Sequence, residues 1–302
     1  MIHKYKLNAL LDNPKLPPED LPMVHKAIEE YDEWIKKLDA IDLEGNELLE
    51  RMIELLNEYK FFIEFKLIFC SKQDFLYRQK GQLKLDNTIL EEFLPRLADS
   101  RLVPSLKNYE GLDVGPRKCF AGLSFGESHL LLNSGGVFLK GKDQDFSISK
   151  KVHIKASTSP TYSNNVFESD INVGFIVGEI KTNLDKTMFQ EASATSRELK
   201  NNVSGAVYLL LVEWLDMPPI DSKRTHIDEV ILLRKAKRLN SNIRSKFSNS
   251  TSRIQVASEY KKYLEEHPYR VDSFMRIVNH IQACFPETTE LDVQEVLDRG
   301  YF

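Results

Sequence analysis

Apolar positions recur at helical spacing near both ends of the chain and at strand spacing in its middle. Residues about 19–70 read as two long helices. "PPEDLPMVHKAIEEYDEWIKKLDAI" opens on prolines and acids, and "GNELLERMIELLNEYKFFIEFKLIFC" repeats apolar residues every three or four positions. Residues 71–86 read as a polar break, after which Asn87 or Thr88 can cap a third helix, "TILEEFLPRLADSRL". From about 117 short apolar segments alternate with Gly and Ser: "KCFAGLSFG", "HLLLNSGGVFLKGK" and "DFSISKKVHIKAS" predict strands joined by loops. A polar connection over 157–170 leads into "INVGFIVGEIK", then a helix capped by Asp185 with Met188, Ala192, Thr195 and Leu199 on one face. "GAVYLLLVEWL" and "IDEVILLR" predict two further strands, and 253–302 is mostly helical in pattern. Strand, helix, strand over 172–215 predicts a right-handed parallel crossover. The expected class is α/β: a mixed central sheet flanked by helices, with an added N-terminal helical region. The parts expected are a helical region 1–86, a core 87–240 and a mostly helical region 241–302.

The strand ending at Lys181 poses a question. Alternate side chains share a face, so Val173, Phe175, Val177, Glu179 and Lys181 stand on one side, and Gly174, Ile176, Gly178 and Ile180 on the other. Both faces are apolar or small, as in an interior strand, yet the run finishes with two charges side by side. An exposed ion pair is one reading, since 28% of the residues are charged and surface pairs are common. Chemistry is the other, provided a further carboxylate can approach. An ion bound through oxygen needs two or more anionic ligands held close.

Composition narrows the ligand types. Three widely spaced cysteines (Cys70, Cys119 and Cys284) and scattered histidines supply no zinc or disulfide pattern, so a metal here would be held by oxygen. The cysteine usage fits a reducing cytoplasm. The longest apolar runs are strand-sized, far short of a membrane span, and no secretion signal opens the chain. Net charge is −4, against indiscriminate coating of nucleic acid, but "RKAKRLNSNIRSK" (234–246) holds six Lys or Arg and no acid. That run is either a solvated face or a stripe that meets phosphates, with Arg234, Lys235, Lys237 and Arg238 as backbone contacts.

Two acidic pairs precede the Glu179 strand: Asp143 and Asp145, and Glu168 and Asp170. If 145–156 and 172–182 pair as a wide antiparallel hairpin, the start of the first strand lies beside the end of the second. Asp145 then approaches Glu179 and Lys181, whereas Asp170 sits roughly 30 Å away at about 3.3 Å per residue. Geometry favours Asp145.

An Asp opening one strand, Glu-x-Lys closing the next and a helix following resemble the PD-(D/E)XK nuclease superfamily. Closer still is the similarity to type II restriction endonucleases of the BbvCI kind. "KDQDF" (142–146), "EIKTNLDKTMFQEASATSREL" (179–199) and "IDEVILLRKAKR" (227–238) carry it in order, and "TILEEF" (88–93) and "LSF" (123–125) also fit. It spans roughly 88–240, echoes weakly in the last twenty residues and leaves 1–85 uncovered. One departure is Gln144 where the pattern has Pro. The resemblance implies Mg²⁺-dependent hydrolysis of double-stranded DNA at a short specific site. It implies metal ligation by Asp145, Glu179 and the Ile180 carbonyl, with Lys181 orienting or helping to deprotonate the attacking water. Glu91 or Glu92 resembles an extra helix-borne acid, Gln190 a phosphate contact, and Asp143 an accessory acid. It also implies a second subunit, identical or related. The rival readings are a repair or junction nuclease and a DNA-binding subunit that does not cut.

Overall fold

The computed structural model describes residues 2–129, 131, 136–287 and 293–300. Residues 130 and 132–135 of the expected "HLLLNSGG" segment, and 288–292 and 301–302 of the C-terminal part, lie outside the described residues.

Helix α1 (Ile2–Leu11) buries His3, Leu7 and Leu10 at steps of four and three, a spacing its charges obscured in the sequence. Helix α2 (Leu21–Asp39) turns Val24, Ala27, Tyr31, Trp34 and Leu38 inward on one stripe. Helix α3 (Gly45–Phe61) continues into a wide π-turn segment, Phe62–Phe69, where Phe62, Ile63, Glu64, Leu67, Ile68 and Phe69 are all buried. The expected break over 71–86 is largely helical instead. Helix α4 (Phe75–Leu83) anchors on buried Leu76 and ends where Lys84 takes a left-handed φ of 52°. Helix α5 (Asn87–Phe93) starts as expected, but Asp86 occupies the cap position and makes no capping hydrogen bond from its side chain.

The described strands form one seven-stranded sheet: β1 (Leu112–Val114), β2 (Arg117–Phe125), β3 (Val137–Gln144), β4 (Phe146–Ser157), β5 (Val166–Leu184), β6 (Val207–Leu215) and β7 (Glu229–Lys237). The hairpin expected between the Asp145 and Glu179 segments is present. β4 runs antiparallel to β5 from Phe146 opposite Gly178 to Ser157 opposite Val166. The crossover is present too: α6 (Lys186–Lys200) links β5 to parallel β6, and β7 adds in parallel beyond β6. Asp185 caps α6, accepting from the Met188 N–H at 2.8 Å. The buried stripe of α6 is Phe189, Ala192, Ser196 and Leu199, shifted from the expected one.

The strict alternation expected along β5 fails at one residue. Register jumps between Ile148 opposite Ile176 and Ser149 opposite Gly174, so Phe175 is a bulge with no partner on β4. Phe175 consequently packs with Ile176 and Ile180 against the layer of N-terminal helices, while Val177 faces α6. Gly174 is required here: an added Cβ would lie 2.6 Å from Val177 Cγ1 and 3.2 Å from Cys119 Sγ. Beyond the bulge, Val177, Glu179 and Lys181 keep a common face.

The N-terminal helices and the sheet share one apolar core, running from Leu7 and Trp34 through Phe93 to Ile176 and Leu209. The remaining helices are α7 (Ser241–Arg244), α8 (Ser250–Glu266), α9 (Val271–Cys284) and α10 (Val293–Arg299). Among the described residues no helix is long and apolar enough to cross a membrane.

The basic run needs a correction. Arg234 is buried in β7, where its guanidinium reaches Glu64 at 3.0 Å and Glu213 at 3.3 Å, so it cannot meet a phosphate. Lys60 closes the same network, 2.8 Å from Glu213 with both side chains buried. A buried guanidinium is retained only with its charge and donors satisfied, and two carboxylates do that here. Lys235 and Lys237, by contrast, are exposed, and Lys235 pairs with Asp272.

Candidate active site at the end of β5

The β4 ladder begins at Phe146 opposite Gly178, so the last turn of β5, Glu179 to Leu184, has β6 on one side and no β4 on the other. Asp145 fills the first step of that gap. Its Oδ2 accepts the Ile180 backbone N–H at 2.8 Å, tying the first strand's entrance to the second strand's exit. In an extended strand the N–H and C=O of one residue point toward the same edge, so the Ile180 carbonyl faces this gap as well. Gln144, where the pattern has Pro, is buried and donates to the Asp143 carbonyl at 3.0 Å, which fixes the approach by hydrogen bonding.

Glu179 is held from both sides. Lys181 Nζ lies 2.6 Å from its Oε1, and the Tyr208 O–H donates to its Oε2 at 2.7 Å. Both charged side chains keep about a fifth of their surface exposed, 23% for Glu179 and 22% for Lys181. Tyr208 is buried, and burial, then the charge of Glu179, pushes its phenol well above the ordinary range. It therefore stays protonated and donates. Sequence reasoning missed Tyr208. The usable signal was its register, since a parallel neighbour places Tyr208 opposite Val177, one same-face step before Glu179.

Helix α5 brings the next acid. Thr182 donates to Asn87 Oδ1 at 2.7 Å, and Glu91 lies one turn after Asn87, on the same side of the helix. Glu91 is buried, and burial followed by repulsion from Asp145 raises its carboxyl to about 7. Asp145 is raised too, by burial first and by Glu179 against it, while the Ile180 N–H, Lys84 and Lys181 pull the other way. Lys84, exposed at the left-handed end of α4, also acts on both acids and was not anticipated.

The other candidates fall apart from this cluster. Glu92 turns to the N-terminal helices, accepting from the His3 backbone N–H and the Tyr31 hydroxyl, each at 3.2 Å. Asp143 is exposed on β3 opposite Lys118, and Gln190 is exposed on α6. Asp170 sits at the far end of the hairpin, paired with His153 at 2.6 Å. Among the described residues no three side chains of Asp, Glu, His or Cys gather as a complete metal cage. Two carboxylates, a third acid behind them and a strand carbonyl are the available donors. That set suits a hard divalent cation: oxygen donors only, with more negative charge than Lys181 can balance.

No curated protein matches the chain. Among solved structures, one described as "native BbvCI A2B2 tetramer at low resolution" is similar at 16% identity and a TM-score of 0.37, over 84% of this chain and 99% of that one. The model of the Bpu10I restriction endonuclease family matches residues 82–302. With well over half of its length matched, the chain belongs to the Bpu10I restriction endonuclease family and is a type II restriction endonuclease, a hydrolase that acts on DNA.

Proposed function

We propose that Asp145, Glu179 and Lys181 form the cutting site of this subunit, and that the cation it uses is Mg²⁺. The observation that carries this reading is the convergence of Asp145 on the Glu179–Lys181 end of β5, backed by Glu91, with negative charge in excess. Asp145, Glu179 and the Ile180 carbonyl would hold the cation. When bound there it supplies Lewis-acid stabilisation of charge developing on the phosphoryl oxygens. Lys181 carries three N–H donors at the same place. It orients the attacking water and stabilises charge on the phosphate as the new P–O bond forms and the ester P–O bond breaks. Tyr208 fixes Glu179 in one rotamer, so that Oε1 stays at the open side of the site. Glu91 lies behind Asp145 as a third acid, its carboxyl kept toward the protonated form by burial and by the charge of Asp145.

One chain carries one such set of residues, and one set cuts one strand. Double-strand cutting then requires a second subunit, identical or related. Among the basic residues, Lys235, Lys237 and Arg238 remain as backbone contacts. Replacing Lys237 with Ala should lower the salt slope of binding by about one on specific and random duplexes alike. Three free cysteines accord with work in a reducing cytoplasm.

Supercoiled plasmid tests the assignment. With Mg²⁺ the purified enzyme should give a discrete banding pattern, and with EDTA none. Lys181→Ala, reassembled with a wild-type second subunit, should leave open circles nicked on one strand. Wild-type linear product from that assembly would remove Lys181 from the chemistry. Cleavage that follows DNA structure rather than sequence would favour the repair-nuclease reading.

A further inference from the structure

Beyond Lys181, β5 runs on into the wall of a cavity of about 290 Å³ outside the cutting site, where the backbone-contact candidate Arg238 also stands. Thr182 and Asn183 line it from the strand, Tyr77 from α4, Trp214 from β6 and Tyr263 from α8, with Arg238 and Arg244 also on its wall. The aromatic walls are stiff. Trp214 stacks on Tyr263 with ring centroids 5.0 Å apart, and the Arg253 guanidinium lies 5.0 Å from the centre of the Tyr77 ring. The one acid on the lining is Glu64, whose charge is already taken by Arg234 at 3.0 Å. The basic run of the sequence is thus resolved into parts: Arg234 is structural, and Arg238 and Arg244 stand at an aromatic pocket.

We propose that this cavity receives a single DNA base, turned out of the duplex within about two base steps of the scissile phosphate. The inference rests on reading Glu179 and Lys181 as the cutting site. Asn183 lies two residues past Lys181, about 6–7 Å along the strand, which is about two steps of 3.4 Å along one DNA strand. The volume is at the small end of ordinary ligand clefts, about 300–1,000 Å³, and suits one base rather than a length of strand. Aromatic walls offer a base the contacts it loses on leaving the stack, and the Asn183 amide, which directs one N–H to Met188 Sδ at 3.8 Å, keeps its second N–H and its oxygen for the base edge. Arg238 is held at 2.7 Å by Asp216 and Arg244 donates to the Leu239 carbonyl at 2.8 Å, so both cations are fixed where the extruded nucleotide's phosphates would pass. Extrusion costs unpairing and unstacking, which makes the proposal measurable: weakening the pair should strengthen binding.

The test uses the assembled enzyme and does not depend on cutting. Its site is recovered by selecting bound duplexes from a random pool. Duplexes of that site with uncleavable methylphosphonate links are then made, each with an abasic residue opposite one base in turn. The proposal expects about tenfold tighter binding at one position beside the cut, from the relieved unpairing. Tyr77→Leu and Tyr263→Leu should abolish that gain while binding random duplex within about twofold of wild type. If either fails to fold, Arg244→Gln asks the same question from the wall, with a partial loss expected. Binding that tightens at no position overturns the proposal. So does a gain that survives all the substitutions, or a uniform weakening across every duplex, which would mark a plain backbone contact. Lys181→Ala separates the two readings: it should stop cutting yet retain the position-dependent gain, and wild-type cutting by it would sink the site assignment alone.

Discussion

Two clusters of charge, one fully buried and one half-buried, lie on neighbouring strands, and they are built on opposite principles. Around β6 and β7, Lys60 and Arg234 face Glu64 and Glu213, two cations against two carboxylates, all buried. At the end of β5, Asp145, Glu179 and Glu91 face Lys181, with Lys84 exposed nearby. The pKa directions follow the balance. Burial alone would raise Glu64, but Arg234 and Lys60 outweigh it and hold its carboxyl at about 2. Burial raises Glu91 to about 7, and Asp145 adds to the rise instead of opposing it. The first cluster is electrically complete and serves the fold. The second holds three acids against Lys181 and the exposed Lys84, and under the proposed reading a divalent cation would offset that excess and so let an anionic phosphodiester approach.

The largest effect should come from the incomplete cluster. Asp145→Asn or Lys181→Ala is expected to slow plasmid cleavage by about a thousandfold or more, as loss of a main electrostatic contact does. Melting should change little, and Asp170→Asn should leave the rate near wild type. A reversed ranking of Asp145 and Asp170 would break the strand-pairing argument. The complete cluster should respond in stability. Arg234→Ala leaves Glu64 buried without its ion-pair partner and Glu213 with Lys60 alone, and should cost about 3–5 kcal/mol in denaturant unfolding.

Tyr208→Phe is a smaller cut. It removes the O–H donated to Glu179 and nothing else, so cleavage should fall by about ten- to a hundredfold, from about 1.5–3 kcal/mol for a hydrogen bond to a charged group. Unchanged cleavage would make Tyr208 a core residue only. The smallest expected effect is in pH. In the metal-free chain Glu91 titrates at about 7, against an ordinary 4.5 when unfolded. Below about 4.5 both states hold the proton and nothing changes. Between about 4.5 and 7 the unfolded chain loses its proton first, so stability falls with rising pH, and above about 7 the loss is complete. Glu91→Gln should flatten that part of the stability curve in EDTA. Parallel curves for the two chains would show that Glu91 is not held protonated.

Much of this was legible in the residues. Strand alternation and the reach of a hairpin placed Asp145 beside Glu179 rather than Asp170, because period and rise are properties of any strand. The Phe175 bulge was not legible, since it depends on how β4 and β5 meet around Cys119 and Gly174. Arg234 misled because a basic run looks uniform along the chain, while its burial depends on Glu64, 170 residues away. Tyr208 hid for the same reason: its partner is set by register between strands. Helix α4 was missed because one buried leucine, Leu76, secures it rather than a full apolar stripe.

The contrast between the clusters comes to a point in one paired measurement, cleavage rate and melting temperature for Glu179→Gln beside Glu213→Gln. Each change removes one carboxylate charge and keeps the shape. The account predicts that Glu179→Gln stops cutting while melting at or above the wild-type temperature, and that Glu213→Gln melts lower while its folded fraction still cuts. A Glu179→Gln chain that cuts normally, or a Glu213→Gln chain that melts normally and does not cut, would contradict it.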